Sequence, residues 1–386
     1  MAISPSLRIY AACFAACLTV GSWYPRIADV QAGLDLNSAL LGQSLAGYPV
    51  GTMLAFSLGA RWATRLGFAR CFAVVTPIMG LALVLATIAP SPPLLFAALL
   101  VAGLGQGMLG ITANVEADRM EAVLGRRVVV RAHGFWSLAV LVAGGAGALA
   151  RGMDIAPVWH LGAVLPLATV LVWLSVAGYE PMPPRQSEAS ARPSRLVRPS
   201  RAVLVLFLAA GGTLFIDNAA SDWSVILMRD ALGATSFLAG LGLTAWASGQ
   251  TFGRLSHNWV AKRVAPERLA LALAGIAVLG LLLVIFAPSS IVAIVGFALV
   301  GLGTSALLPM ALSAAARLTE RPAAVNVAAL SQLAFFASIL APLVIGWVAD
   351  AFGLRAAFGL GIAVLIANGV TILLRRPFAA LARPAE

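Results

Sequence analysis

An all-α membrane protein of twelve transmembrane helices, arranged as two pseudo-symmetric six-helix bundles, is the fold class this sequence predicts. Three observations carry that expectation. The first is composition: 61% of the 386 residues are hydrophobic and only 11% are charged, against roughly 25% charged in an ordinary soluble domain. Lipid must therefore serve as the solvent for most of the surface. The second is one long polar break, Tyr179 to Ser200, which is proline-rich and basic and has no apolar period of helix or strand. The third is repetition: Gly103-Leu104-Gly105 recurs 198 residues later as Gly301-Leu302-Gly303, and Trp23 recurs 200 residues later as Trp223. The expected organisation is a bundle over 1–178, a cytoplasmic linker over 179–200, and a second bundle with a short cytoplasmic tail over 201–386.

Each span is an apolar run long enough to cross about 30 Å of hydrocarbon. Before the linker the runs are 7–30, 39–60, 69–89, 93–117, 132–151 and 157–178; after it they are 201–229, 235–256, 269–287, 291–316, 323–349 and 354–374. Prolines punctuate several ends, at Ala89-Pro90-Ser91-Pro92-Pro93, Ala156-Pro157, Ala287-Pro288-Ser289 and Arg321-Pro322. The first run follows Arg8, as a signal peptide would. Ile9 to Tyr24 is nevertheless long for a signal core and many spans follow, so it is expected to stay as the first helix. Pro25 should kink or unwind its outer end.

Twelve spans put both termini on one side. If that side is the cytoplasm, 22 of the 26 basic residues lie in cytoplasmic segments and only Arg26, Arg151, Arg229 and Arg355 lie outside, as the positive-inside rule requires. This topology accounts for the net charge of +11. Nucleic acid is not an expected partner, because the basic residues are not gathered on one folded polar face; the expected partners are the lipid bilayer, a small-molecule solute and protons. Cys13, Cys17 and Cys71 read as small core hydrophobes. No metal site, cofactor or Walker-type nucleotide loop is expected. No nucleophile, base and orienting residue share a level, so no catalytic residue is assigned and the chain does not read as an enzyme. A monomer is expected.

The seventh run carries the least expected chemistry, Ile216-Asp217-Asn218-Ala219-Ala220-Ser221-Asp222-Trp223-Ser224. Counted from Arg201, Asp217 lies roughly 24 Å along the helix, and Asp222 lies nearer the outer rim. A carboxylate at membrane depth is costly unless it faces water or a partner, so Asp217 is the leading proton-coupling candidate, followed by Asp222. Asn218 and Trp223 are solute or gating candidates. In the fourth run, Asn114 can contact a solute or hydrogen-bond a neighbouring helix, while Glu116 can carry a proton or pair with a loop arginine. His133 can titrate near neutrality or make a packing hydrogen bond. Trp23, Arg26 and Asp29 stand at the outer end of the first run, where Arg26 and Asp29 can pair as i,i+3 or Arg26 can attract an anion. Gln43, Tyr48, Gln106, Trp136, Trp246, Gln250, Asn326 and Gln332 are polar or aromatic side chains that either line a pocket or hold helices together.

Together these motifs resemble the major facilitator superfamily, and more narrowly its bacterial inner-membrane YbjJ-like group, across nearly all twelve spans. The superfamily's loop between spans two and three resembles Ala60-Arg61-Trp62-Ala63-Thr64-Arg65-Leu66-Gly67-Phe68-Ala69-Arg70. Its arginine is kept as Arg65, while its leading glycine is Ala60 and its aspartate Thr64. The corresponding loop after span eight is Gly253-Arg254-Leu255-Ser256-His257-Asn258, where glycine and aspartate are usual at the last two places. The resemblance implies a cytoplasmic gate at Arg65, Gly67, Arg70, Gly253, Arg254 and Asn258, with both signature acids missing. Asp217 stands where the group generally has glutamate, and Gly110 near where an aspartate is common. The implied fold is the major facilitator fold, and the implied location is the bacterial inner membrane with cytoplasmic termini. The expected function is secondary transport of a small polar or amphipathic solute by alternating access, proton-coupled through Asp217. An uncoupled facilitator and a non-transporting membrane sensor or assembly protein are the rival readings; the missing loop acids motivate the latter.

Overall fold

The computed structural model describes residues 4–125, 128–183 and 197–382. Arg126, Arg127, Arg185, Arg192, Arg195 and Arg383, which enter the topology argument, lie outside the described residues, as do the side chains of Arg61 and Asn258. The chain forms two compact units, Met1–Pro193 and Ser194–Glu386. Every regular element among the described residues is helical.

In the first unit, α1 (Pro5–Trp23) begins where the Ser4 hydroxyl accepts a hydrogen bond from the Leu7 amide and Pro5 occupies the first turn. Pro25 forces the expected unwinding: Tyr24–Arg26 is one 3₁₀ turn, after which α2 (Ile27–Gly33) resumes. The second span is broken. α3 (Ser38–Leu45) is capped by Asn37, Ala46 interrupts it, and α4 (Gly47–Leu54) runs into a five-residue π turn, Ala55–Gly59. α5 (Ala60–Ala86) continues through the predicted loop and reverses only at Gly67, whose φ of 70° and ψ of 173° suit glycine. α6 (Pro92–Leu124) ends on left-handed Gly125. α7 (Val129–Gly152) and α8 (Pro157–Val176) complete the unit.

The second unit opens with α9 (Arg201–Leu206), a π turn at Phe207–Gly211 and α10 (Thr213–Leu232). It continues through α11 (Ser236–Ala261), α12 (Pro266–Ile285), α13 (Ser290–Thr304), α14 (Leu307–Ala316), α15 (Ala323–Phe352) and α16 (Leu354–Arg375). Ten of these helical segments are long and apolar enough to cross a membrane. The other two expected spans are 39–60, where the helix over 38–59 is broken, and 235–256, which lies in α11, 26 residues long but rich in Ser, Thr and Gly. Large apolar side chains such as Leu85, Trp173, Leu174 and Leu374 stay exposed on the helices, as a lipid-facing surface requires.

The repeat seen in the sequence is a repeat of contacts. In the first unit, a Cβ on Gly51 would lie 2.0 Å from the Leu100 carbonyl oxygen, and one on Gly103 would lie 1.9 Å from that of Tyr48. In the second unit, Gly249 stands 2.0 Å from the Ala298 oxygen and Gly301 2.0 Å from that of Trp246 in the same sense. Gly105 abuts Val75 and Met79, and Gly303 abuts Leu273 and Ala277. Every partner is displaced by the same 198 residues. Without a hydrophobic force between helices in lipid, such backbone approach is the source of their attraction. Replacing Gly103 or Gly301 by alanine should therefore cost about 1–3 kcal/mol by overpacking. Gly110→Ala, with no atom within 4 Å of its Cβ, should change stability by less than about 0.5 kcal/mol; thermal unfolding in detergent ranks the three.

Candidate functional site

α10 brings Asp217 against two neighbouring helices of its own unit. The Asp217 Oδ1 atom accepts from Gln250 Nε2 at 2.7 Å, from Thr304 Oγ1 at 2.6 Å and from Trp246 Nε1 at 3.2 Å. Gln250 Nε2 also donates to Thr304 Oγ1 at 3.0 Å, so both amide hydrogens are engaged. Trp246, Gln250 and Arg254 recur every four residues and share one face of α11; Arg254 interacts electrostatically with the Asp217 carboxylate. Gln250 and Thr304 are 3% and 2% exposed, so the donors are fixed, whereas Asp217 is half-buried. All three hydrogen bonds converge on one oxygen, leaving Oδ2 without a hydrogen bond among the described residues. Of this set, Thr304 was not anticipated. It stands 198 residues after Gln106, so the repeat contained the signal.

The rest of α10 is arranged differently. Asn218 Nδ2 donates to Ser338 Oγ of α15 at 2.7 Å, and Asp222 Oδ1 accepts from Ser221 Oγ at 2.9 Å. Trp223 is fully buried and its indole nitrogen has no hydrogen-bond partner among the described residues. Asp217 and Asp222 do not share a hydrogen bond.

At the junction of α1 and α2 in the first unit, Arg26 is 1% exposed. Its Nη1 meets Asp29 Oδ2 at 3.1 Å, and its Nε donates to His160 Nδ1 at 3.1 Å. Arg151 pairs with the other oxygen of Asp29 and donates to the Pro25 carbonyl at 3.2 Å. Two guanidiniums thus share one carboxylate. The i,i+3 pair was legible in the sequence; Arg151 and His160 arrive from α7 and α8 and were not. Trp23 is buried beside them, at 3% exposure.

Glu116 of α6 is 1% exposed and holds the start of the polar break: its Oε1 accepts from the Tyr179 hydroxyl at 2.9 Å and from the Met182 amide at 2.6 Å, and Oε2 stands 3.5 Å from Arg119. Burial, reinforced by the Glu116 carboxylate, pushes the Tyr179 phenol well above its ordinary value. It therefore remains a neutral donor. His133 Nε2 and Asn114 Oδ1 are 3.1 Å apart and link α7 to α6.

The remaining candidates are dispersed. Asn326 donates to the Leu318 and Arg321 carbonyls, Gln332 accepts from the Val197 amide at 3.0 Å, Trp136 packs on the Cys17 and Ala143 cluster, and Gln43 is exposed. Tyr48 and Gln106 are half-buried on α4 and α6. In the gate motifs Arg65 lies 5.7 Å from the Trp62 ring centre, Arg70 is exposed, and Gly253 abuts Ser305.

The family model described as the Major Facilitator Superfamily matches residues 215–386. An uncharacterized MFS-type transporter of Yersinia pestis is 27% identical over 92% of this chain and 92% of its own length. The membrane protein MosC of Rhizobium meliloti is 24% identical over 92% of this chain and 85% of its own. Among solved structures, a variant of the nucleoside transporter NupG superimposes with a TM-score of 0.73 at 12% identity, covering 96% of this chain and 99% of that one. The E. coli fucose:proton symporter FucP superimposes with a TM-score of 0.63 at 19% identity, covering 96% and 98%. These likenesses establish the fold.

The Glu116 geometry yields a local test. Glu116→Ala orphans the Tyr179 hydroxyl and the Met182 amide, which should destabilise this end of the first unit by about 1–3 kcal/mol. Hydrogen exchange at Met182 should accelerate accordingly; an unchanged rate would show that the carboxylate does not hold the segment.

Proposed function

We propose that this chain is a multi-pass membrane transporter of the major facilitator superfamily, and that it moves a small polar or amphipathic solute by alternating access with proton coupling at Asp217. The reading places it in the bacterial inner membrane as a monomer with both termini cytoplasmic.

The observation that carries the coupling assignment is the division of the Asp217 carboxylate. One oxygen binds three donors from α11 and α13, while the other makes no hydrogen bond among the described residues and belongs to a half-buried side chain. Ionised, the carboxylate makes charge-assisted hydrogen bonds, roughly twice as strong as neutral ones. Protonated at Oδ2, it keeps the same neighbours but loses that reinforcement and its attraction to Arg254. The packing of α10 on α11 and α13 thereby becomes linked to proton occupancy. Such a two-state element is what coupling needs. Asp222 lacks this arrangement, having only its neighbouring serine, and Glu116 is enclosed by its partners.

The test is a solute thermal-shift screen on purified protein at about pH 5.5 and about pH 7.5, straddling the range where coupling acids and histidines change charge. A solute that stabilises the protein in a pH-dependent way should become pH-independent in Asp217→Asn. Unaltered pH dependence in that variant would remove Asp217 from coupling, and stabilisation indifferent to pH would favour an uncoupled facilitator. A protein stabilised by no solute would support the non-transporting reading.

A further inference from the structure

The π turn at Phe207–Gly211 interrupts the span that carries Asp217, ending six residues before that carboxylate. A π turn holds one residue more than the α turn it replaces, so the carbonyls around it lose their regular amide donors. Two side chains take the place of those donors. The Thr213 hydroxyl donates to the Ala210 carbonyl at 2.7 Å. The Asn368 amide of α16, whose orientation is set by its hydrogen-bond partners, donates to the Leu208 carbonyl at 2.8 Å and to the Val364 carbonyl of its own helix at 3.1 Å. Asn368 is 2% exposed, and Ala209 and Ala210 are fully buried. The contact is shielded from water, and a carbonyl left there without a donor is costly.

The packing around the turn supports the same contact. A Cβ on Gly211 would lie 2.0 Å from the Phe207 ring, and one on Gly212 would lie 2.4 Å from Val364 Cγ1, so these glycines admit the turn and let α16 lie directly on it. Further along, a Cβ on Gly361 would lie 3.4 Å from Ile216 Cγ1, on the neighbour of Asp217. Arg355 Nη2 donates to the Ala231 carbonyl at 3.4 Å, at the far end of α10. Thus α16 backs α10 along its length, while Asp217 meets its donors on α11 and α13. In the first unit α1, which Trp23 matches to α10 in the repeat, runs from Pro5 to Trp23 without a π turn and carries no acid.

The turn decides where Asp217 points. Successive residues are about 100° apart round an α-helix. Relaxed to α geometry, the turn would advance every residue beyond it by one position, and the carboxylate would swing away from Gln250 and Thr304. We propose that Asn368 is a positioning residue for Asp217: by holding the Leu208 carbonyl it fixes the π turn, and with it the rotation of α10 that presents the carboxylate to its three donors. This role rests on the reading of Asp217 as the coupling acid and deepens it, whereas the experiment reads the contact itself and needs no solute.

A double-mutant cycle on the purified full chain, followed by thermal unfolding in detergent, pairs Asp217→Leu with Thr304→Val. Partners in one hydrogen bond are non-additive, and the coupling in the unaltered chain should be about tenfold in the unfolding equilibrium constant. It should vanish in the Asn368→Leu background and return in Asn368→Gln, which keeps both amide hydrogens. Backbone amide exchange over residues 207–215 should also accelerate about tenfold in Asn368→Leu. Asn368→Ala carries the same measurements if the leucine variant does not fold. Coupling that persists without the amide, coupling lost as fully with glutamine as with leucine, or unchanged exchange overturns the positioning role and leaves the Asp217 reading intact. Absence of coupling in the unaltered chain removes the contact itself and overturns both.

Discussion

The structure depends on helices touching through their backbones. In lipid, apolar side chains gain nothing by turning away from the solvent, so association must come from close packing and polar contacts. Gly51 and Gly103 in one unit, and Gly249 and Gly301 in the other, bring Cα atoms against facing carbonyls where no side chain fits. This contact fixes rotation as well as distance. With α11 locked onto α13, Gln250 and Thr304 have only one place to point, and α10 must supply the acceptor that meets them there. The Asp217 site is thus a product of glycine packing within one turn of its donors, Gly249 beside Gln250 and Gly301 three residues before Thr304.

Charge is handled in a second way. Ionised groups at membrane depth persist when each has fixed partners. Asp217 has three donors and a nearby arginine; Arg26, Asp29 and Arg151 neutralise one another in part; Glu116 is enclosed by a phenol, an amide and Arg119. Thr64 and Asn258 stand where the resemblance leads one to expect loop acids. Glu116 and Gln332 extend that order to the polar break, fixing Met182 and Val197 respectively to their own units.

Much of this was legible in the sequence, and the reasons are physical. Apolar runs report the cost of exposing polar backbone to lipid, so the helices could be placed, including the unwinding at Pro25. The glycine repeat reports backbone approach, which is periodic in sequence and specific in space. Asp217 was conspicuous because a carboxylate is rare where it stands. Its partners were harder to find: Thr304 is an ordinary residue in a helix, and only its register relative to Gln106 distinguishes it. Arg151 and His160 meet Arg26 from more than 120 residues away, and a tertiary contact of that separation has no local signature. The sequence offers a loop arginine as a partner for Glu116, whereas the cation beside it is Arg119, one turn on in the same helix; its grip on Tyr179 and Met182 depends on where the chain turns after α8. The break at Ala46 and the late reversal at Gly67 were hidden because hydropathy averages over such local features.

The imidazole of His160 adds a chemical condition to the junction of α1 and α2. Arg26 Nε donates to its Nδ1, and that nitrogen can accept only while it carries no proton. An imidazolium there would forfeit the bond and set a third cation beside two guanidiniums that already share a single carboxylate. The cluster therefore holds the ring as the neutral tautomer whose proton sits on Nε2. The ring thus joins α8 to the α1–α2 junction through one nitrogen, by a contact chemically separate from the carboxylate on α10.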